Sequence, residues 1–290
     1  MCKKAAFVAV IGRPSAGKST LVNRLCGRHV AIVSSVPQTT RNAIRGIINR
    51  ERGQLVFIDT PGRYKSEKKI NKKLMDISDQ AAGDSDIILY MLDASRAPGP
   101  EEEEIAAFLA PHADRTVAAI NKTDDGNADI ARAREFLLQN LTGLPANRCL
   151  EISVLKKKGL EELLGALYDL APDGEPFYDE EYYTDQEVDF RIAEIIREQA
   201  INRLRQELPH ALHVEIADAQ FTEGGAAGSQ ERPKLWVRAF IVVERESQKG
   251  IVVGKGGLMI RDIRMAALKK LNTIFDWKIE LDIQVKKAGR

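Results

Sequence analysis

Gly12-Arg13-Pro14-Ser15-Ala16-Gly17-Lys18-Ser19-Thr20 is the stretch on which the reading of this chain turns. It has the form G-x-x-x-x-G-K-[ST], and its flanks supply the context that form requires. Ahead of it, Ala5-Ala6-Phe7-Val8-Ala9-Val10-Ile11 is an apolar run of buried-strand type, and behind it Thr20-Leu21-Val22-Asn23-Arg24-Leu25 begins a helix. The two glycines let the backbone curl so that successive N–H groups point inward, and the helix start adds the positive end of its dipole. Such a loop cradles phosphates: Lys18 reaches the β- and γ-phosphates, and the Ser19 hydroxyl can ligate Mg²⁺. A plain glycine-rich connector is the bland alternative, and the Lys-Ser pair at the correct spacing argues against it.

A length of 290 residues predicts two domains, and a hydrophobic share of 44% suffices for sizeable cores. Lys+Arg 43 against Asp+Glu 42 leaves a net charge of +1, so a nucleic-acid partner would have to be met by local patches. Cys2, Cys26 and Cys149 lack metal-ligand spacing and read as free thiols of a reducing compartment. The apolar run before the phosphate loop is too short for a signal peptide and has no cleavage-type site, and no stretch approaches a membrane span. These features predict a cytoplasmic protein.

Along the first half, Val36-Pro37-Gln38-Thr39-Thr40-Arg41 reads as a loop. Residues 43–49 and 54–58 flank Arg50-Glu51-Arg52-Gly53 as a hairpin, and the second strand ends in Asp59-Thr60-Pro61-Gly62. A carboxylate at a strand end beside a phosphate loop can hold Mg²⁺ through its water, and Gly62 can bring its N–H to a γ-phosphate. Residues 86–92 form another buried strand, and Pro100-Glu101-Glu102-Glu103-Glu104 opens a helix whose acids suit its dipole. The strand 116–120 runs into Asn121-Lys122-Thr123-Asp124. Guanine presents N1–H and N2–H₂ on one edge, and the Asp124 carboxylate can accept both; adenine offers no such pair. Asn121 can orient the loop and reach the base, while the Lys122 stem covers the ring. A last strand, 149–152, reaches Ser153-Val154, and a helix over 159–170 closes a doubly wound sheet with its candidate ligands at the strands' carboxyl ends.

The order and spacing of Gly12-x4-Gly17-Lys18-Ser19, Thr39-Thr40-Arg41, Asp59-Thr60-Pro61-Gly62, Asn121-Lys122-Thr123-Asp124 and Ser153 resemble translation-factor-class GTPases, and the Gln38-Thr39-Thr40-Arg41 form is similar to the Era group. The resemblance implies that Thr40, rather than Thr39, closes over Mg²⁺ and the γ-phosphate. It implies that Ser153 braces Asp124 and that the Val154 N–H faces guanine O6. Two positions depart from the group. Ser15 stands where the group usually has an asparagine that can help hold potassium, and Arg63 stands where an apolar residue is usual.

In the second half, residues 172–183 carry prolines, a glycine and acids, and read as a linker. Thr184-Asp185-Gln186-Glu187 has the capping-box pattern ahead of a helix. Strands are expected over 212–216, 235–243 and 277–285, a mobile loop over 220–233, and core positions for Trp236 and Trp277. Ser247 to Val253 reads as a helix running into Gly254-Lys255-Gly256-Gly257 and then a basic helix. A bare G-x-x-G says little. Flanked by Lys249, Lys255, Arg261 and Arg264, it supplies what an RNA clamp of KH type needs: bare backbone for close phosphate approach and cations to neutralise charge. The stretch 244–257 also resembles the Era C-terminal domain, so the resemblance covers the whole chain.

The expectation is an α/β P-loop GTPase domain with a doubly wound, mostly parallel sheet (1–172), an acidic linker (173–186) and an α+β type II KH domain (187–290). The resemblance implies Mg²⁺-dependent hydrolysis of GTP to GDP and binding of small-subunit ribosomal RNA near its 3′ end in ribosome assembly. It implies a monomer and leaves open a peripheral association with the inner membrane face. A nucleotide-gated RNA-binding module with vestigial hydrolysis is the alternative. A tandem-domain relative is set aside, because this chain carries one phosphate loop.

Overall fold

The computed structural model describes residues 3–34, 36, 39–63, 69–204, 208–223 and 232–289. The chain divides into two units, Met1–Ala31 with Pro37–Asp185, and Ile32–Val36 with Gln186–Arg290.

The first unit is built on a six-stranded sheet of order β2-β3-β1-β4-β5-β6. Its strands are β1 Lys4–Ile11, β2 Ile44–Arg50, β3 Gly53–Asp59, β4 Ile87–Asp93, β5 Thr116–Asn121 and β6 Cys149–Glu151. All neighbours pair in parallel except β2 and β3, which form the expected antiparallel hairpin. Ile88, Tyr90 and Leu92 of β4 share one apolar cluster with Ala81 of α2 (Lys69–Asp84), Ile105 of α3 (Pro100–Leu109) and Leu137 of α4 (Ile130–Asn140). The alternating residues Ile87, Leu89 and Met91 are equally buried, so both sheet faces are covered, as the continuous apolar runs require. Helices α1 (Lys18–Cys26) and α5 (Leu160–Leu170) complete the layers.

The acidic stretch is not a loose tether. Along β2, the Ile47 N–H donates to Tyr183 O (2.9 Å), Thr184 Oγ1 to Arg45 O (2.8 Å) and Asn49 Nδ2 to Glu180 O (3.0 Å). Buried Gln54 grips the same stretch. Its Nε2 donates to Tyr178 O and Asn49 Oδ1, both at 2.8 Å, and its Oε1 accepts the N–H groups of Phe177 (2.8 Å) and Tyr178 (3.0 Å). Thr184 is thus engaged on β2 instead of capping a helix, and α6 starts later, at Val188, with Glu187 at its N-cap. Gln54→Ala orphans several of these groups and should destabilise the protein by about 2–4 kcal/mol. Limited proteolysis within 173–185 should accelerate with it; cleavage as slow as in the parent would contradict this anchoring role.

The second unit is α+β: α6 Val188–Ile201, α7 Leu208–Ala211, β7 Leu212–Thr222, β8 Lys234–Val243, α8 Glu246–Val253, α9 Leu258–Ile274 and β9 Lys278–Lys287. β8 lies between β7, antiparallel to it, and β9, parallel to it. Leu235, Val237, Ala239 and Ile241 alternate inward against Ile192 and Ile196 of α6 and Ile263, Ala267 and Leu271 of α9. That alternation sends Trp236 to the opposite face, where the Arg238 guanidinium lies 5.1 Å from its ring, so the core position expected for it is not found. Trp277 does pack on the core, stacked against Phe275. β7 extends to Thr222, further than expected, while Gly224, Gly225, Gly228 and Ser229 of the expected loop lie outside the described residues. The Val33 N–H, in the segment grouped with this unit, donates to Glu198 Oε1 at 2.9 Å. Among the described residues no helix is long and apolar enough to cross a membrane.

Candidate functional site

The phosphate loop leaves the carboxyl end of β1 and turns into α1 through Gly17, which caps that helix. Lys18 is buried, and its Nζ donates to the carbonyls of Gly12 and Arg13 at 2.9 Å each. Burial pushes its pKa down to about 8, with the Asp59 charge opposing. Ser15 sits exposed in left-handed backbone at φ 64°, a region that asparagine, the usual residue of the group, enters more readily than serine. Close packing at Gly62 holds the neighbouring turn against this loop: a Cβ there would lie 2.5 Å from Pro14 N. The Arg63 N–H donates to Gly12 O at 3.2 Å.

Three oxygen-bearing side chains meet at the loop. Ser19 Oγ donates to Asp59 Oδ2 at 2.6 Å, Thr40 Oγ1 lies 3.1 Å from Ser19 Oγ, and Thr40 Oγ1 donates to Asp59 Oδ2 at 3.4 Å. Asp59 is fully buried and its Oδ1 has no hydrogen-bond partner. Burial pushes its pKa from 3.8 up to about 6, against the pull of Ser19, Lys18 and Thr40. The folded protein therefore binds more protons than the unfolded chain across that interval. Asp59's contribution to stability is full below about pH 4 and is lost as pH rises through about 6, amounting to about 3 kcal/mol. Asp59→Asn should remove this slope from denaturant unfolding measured without Mg²⁺ or nucleotide. A slope identical in parent and variant would contradict it.

At the opposite end of the loop, Asn121 crosslinks two segments and does not project outward. Its Nδ2 donates to Ala16 O (2.9 Å) and its Oδ1 accepts the Val154 N–H (3.2 Å). The Val154 N–H expected to face guanine O6 is thus engaged by Asn121. Ser153 Oγ does donate to Asp124 Oδ1, and accepts the Lys156 N–H at 2.9 Å, leaving the exposed Asp124 carboxylate braced by the 153–156 turn. Lys122, left-handed at φ 65°, carries its Nζ to Asp93 Oδ2 at 2.7 Å.

Other residues of the motifs serve the frame. Thr60 Oγ1 donates to Val10 O (2.7 Å), and Pro61 O accepts from Ser78 Oγ (2.8 Å). The Arg13 side chain turns away from the cradle: its Nε lies 2.9 Å from Glu102 Oε1 and its Nη2 3.6 Å from Asp93 Oδ2. Arg63 is buried with its guanidinium 4.0 Å from the Phe108 ring centroid and paired with Asp79, and desolvation holds its pKa below the usual value. Residues that motif reading did not select include Asp93, Glu102 and Asn23; Asn23 Oδ1 accepts the Val30 and Ala31 N–H groups at 2.7 and 2.8 Å. Asp93 ends an apolar strand as Asp59 does, and that strand-end position is the signal that could have found it.

In the second unit the turn Gly254-Lys255-Gly256-Gly257 joins α8 to α9. Gly254 has φ 74°, and a Cβ there would meet Met259 Cβ at 2.6 Å, so this corner admits only glycine. Lys255 and Arg261 are exposed, and Lys249 Nζ lies 3.8 Å from Glu246. Arg264 Nε donates to Leu281 O at 2.6 Å, which fixes it against β9. Ile251, Leu258 and Met265, each more than half exposed, flank the turn and were not singled out by the charge pattern. Exposed apolar side chains next to a basic turn suit bases and phosphates respectively.

Residues 7–122 match the family described as 50S ribosome-binding GTPase, and residues 207–289 match the KH domain family. The chain is 48% identical to GTPase Era of Treponema denticola over 279 residues, covering 96% of this chain and 92% of that protein. It is 42% identical to GTPase Era of Borreliella burgdorferi (strain ZS7) over 283 residues, covering 98% and 94%. Its fold is similar to that of Era in complex with MgGDPNP and nucleotides 1506–1542 of 16S ribosomal RNA, with TM-score 0.89, 32% identity, and 99% and 94% of the two chains covered. An Aquifex aeolicus Era variant bound to GDP.AlF4- gives TM-score 0.88 at 31% identity, covering 98% and 94%. With the phosphate loop, the strand-end carboxylate and the N-K-x-D loop assembled at one sheet edge and a KH domain following, this chain belongs to the Era family of GTPases.

Proposed function

We propose that this GTPase hydrolyses GTP with Mg²⁺ held by Ser19, Thr40 and Asp59, and that its KH domain binds small-subunit ribosomal RNA near the 3′ end in assembly of the small subunit. The observation that carries the nucleotide half is the meeting of Ser19, Thr40 and Asp59 oxygens beside Lys18, with a buried Asp59 oxygen left without a partner. Hydroxyl and carboxylate oxygens are the donor set that suits a small hard cation, so the residues fit Mg²⁺. When bound, the ion neutralises charge on the β- and γ-phosphates.

The chain's own groups do the rest. Lys18 places an ammonium beside the phosphates, and the Gly62 backbone N–H faces the γ-phosphate. Asp124 accepts the two guanine donors while Ser153 keeps it in place. Water attacks the γ-phosphorus in line: a new P–O bond forms, the bond to the β–γ bridging oxygen breaks, and GDP leaves with that oxygen. Arg63 is engaged by Asp79 and the Phe108 ring, so catalysis rests on positioning and charge neutralisation.

For the RNA half, support comes from the left-handed Gly254–Gly257 turn with exposed Lys255 and the exposed apolar residues Ile251 and Leu258 on either side of it in sequence, and from the rRNA segment bound in the related Era structure. Fluorescence anisotropy with a labelled oligonucleotide of the rRNA 3′ end, against a scrambled one, tests it. Preference for the 3′-end sequence is expected, and equal binding of both would contradict it.

A further inference from the structure

We propose that Asp93 is a positioning residue for guanine recognition, tethering the Lys122 ammonium so that the lysine stem stays laid over the base, and holding Arg13 of the phosphate loop from the same carboxylate. The inference rests on the assignment of the Asn121–Asp124 loop to guanine made above.

Asp93 ends β4, and its side chain is fully buried. Ser95 orients one carboxylate oxygen, donating both its N–H (3.0 Å) and its Oγ (2.6 Å) to Oδ1. The other oxygen, Oδ2, is left to two cations: Lys122 Nζ at 2.7 Å and Arg13 Nη2 at 3.6 Å. Arg13 has a second, closer acid in Glu102, which is itself fixed by accepting the Gly99 N–H at 3.2 Å. Arg13 therefore does not depend on Asp93 alone, whereas the one ion pair of Lys122 among the described residues is with Asp93.

The tether matters because a lysine stem is flexible and its ammonium prefers water. Lys122 is a third exposed, so a free head would swing outward and leave the base face uncovered. Backbone bonds already set where the stem begins: Ala94 N–H to Asn121 O, and Asp125 N–H to Lys122 O, each 3.0 Å. Anchoring the far end as well fixes the stem at both ends before nucleotide arrives, so less freedom is lost on binding. Burial raises the Asp93 pKa, but the bonds from Lys122 and Ser95 outweigh it and hold the carboxylate below its ordinary value, so it stays charged at neutral pH.

The test is a double-mutant cycle on the full chain, using Asp93→Asn, Lys122→Met and the pair, read by release of a fluorescent GDP. Each single change should speed GDP release on the order of tenfold, and the pair should be no worse than Lys122→Met alone. A general packing defect would instead act equally in both backgrounds. Ser95→Ala, which loosens Asp93 without removing its charge, should speed release in the same direction but less, and gives the same cycle if Asp93→Asn fails to fold. Undiminished effects of both Asp93→Asn and Ser95→Ala in the Lys122→Met background, or no effect of either, would overturn the proposal. Asp124→Asn separates the two readings. If that variant fails to switch to xanthine nucleotides, the guanine assignment falls and this inference with it; if it switches while the cycle is additive, only the role of Asp93 is wrong.

Discussion

Asp124→Asn is expected to lose most of its affinity for GTP and to gain affinity for xanthosine triphosphate. The carboxylate is exposed toward solvent but held by Ser153 Oγ, so it is already placed to accept two parallel hydrogen bonds. An amide can accept only one of guanine's donors and presents its own donor to the other. Losing charge-assisted bonds within a site closed by nucleotide should cost on the order of 2–4 kcal/mol, roughly a 30- to 1000-fold loss of affinity. Xanthine replaces the N2 donors by a carbonyl, which the new amide can satisfy. Competition between the two triphosphates for parent and variant measures the switch. Unchanged GTP affinity in the variant would remove Asp124 from the base site.

The double change Lys255→Asp with Gly256→Asp should severely weaken RNA binding while sparing the nucleotide site. Gly256 has φ 61°, a conformation aspartate enters more readily than most residues, and a Cβ there would meet nothing within 4 Å. The fold should therefore survive, as an unchanged thermal transition would show. Two carboxylates would then stand where phosphates approach, and one cationic contact is gone. The residual dependence of log affinity on log salt should flatten by about one. GTP binding should be unchanged, because the ligands proposed for it all precede residue 155. RNA bound as tightly as by the parent would displace the clamp from this turn.

What could be read from the sequence was what is contiguous or follows a period. The phosphate loop, Asp59-x-x-Gly62 and Asn121-Lys122-Thr123-Asp124 each carry their spacing within a few residues, and the structure gathers them at one sheet edge. The inward set of β8, Leu235, Val237, Ala239 and Ile241, was equally readable, and strict alternation would have placed Trp236 outside. What stayed hidden depends on partners far along the chain. Asn121 is aimed by a carbonyl of the phosphate loop, Thr60 by Val10, and Arg13 by acids in β4 and α3. Composition made 172–183 look like a linker, because nothing local reveals that Gln54 and β2 would supply its hydrogen bonds. The exposure of Ile251, Leu258 and Met265 stayed hidden because helical spacing marks a face without saying whether anything covers it.

One chain that joins GTP hydrolysis to recognition of the rRNA 3′ end should couple the two. Single-turnover hydrolysis of GTP, measured with Mg²⁺ in the presence and absence of a short oligonucleotide of that sequence, tests it most directly. GDP and phosphate formation should require Mg²⁺, be faster with the oligonucleotide, and lose only the stimulated part in the Lys255→Asp, Gly256→Asp variant. GTP bound but not cleaved under both conditions would contradict it and leave a nucleotide-gated RNA-binding module in its place.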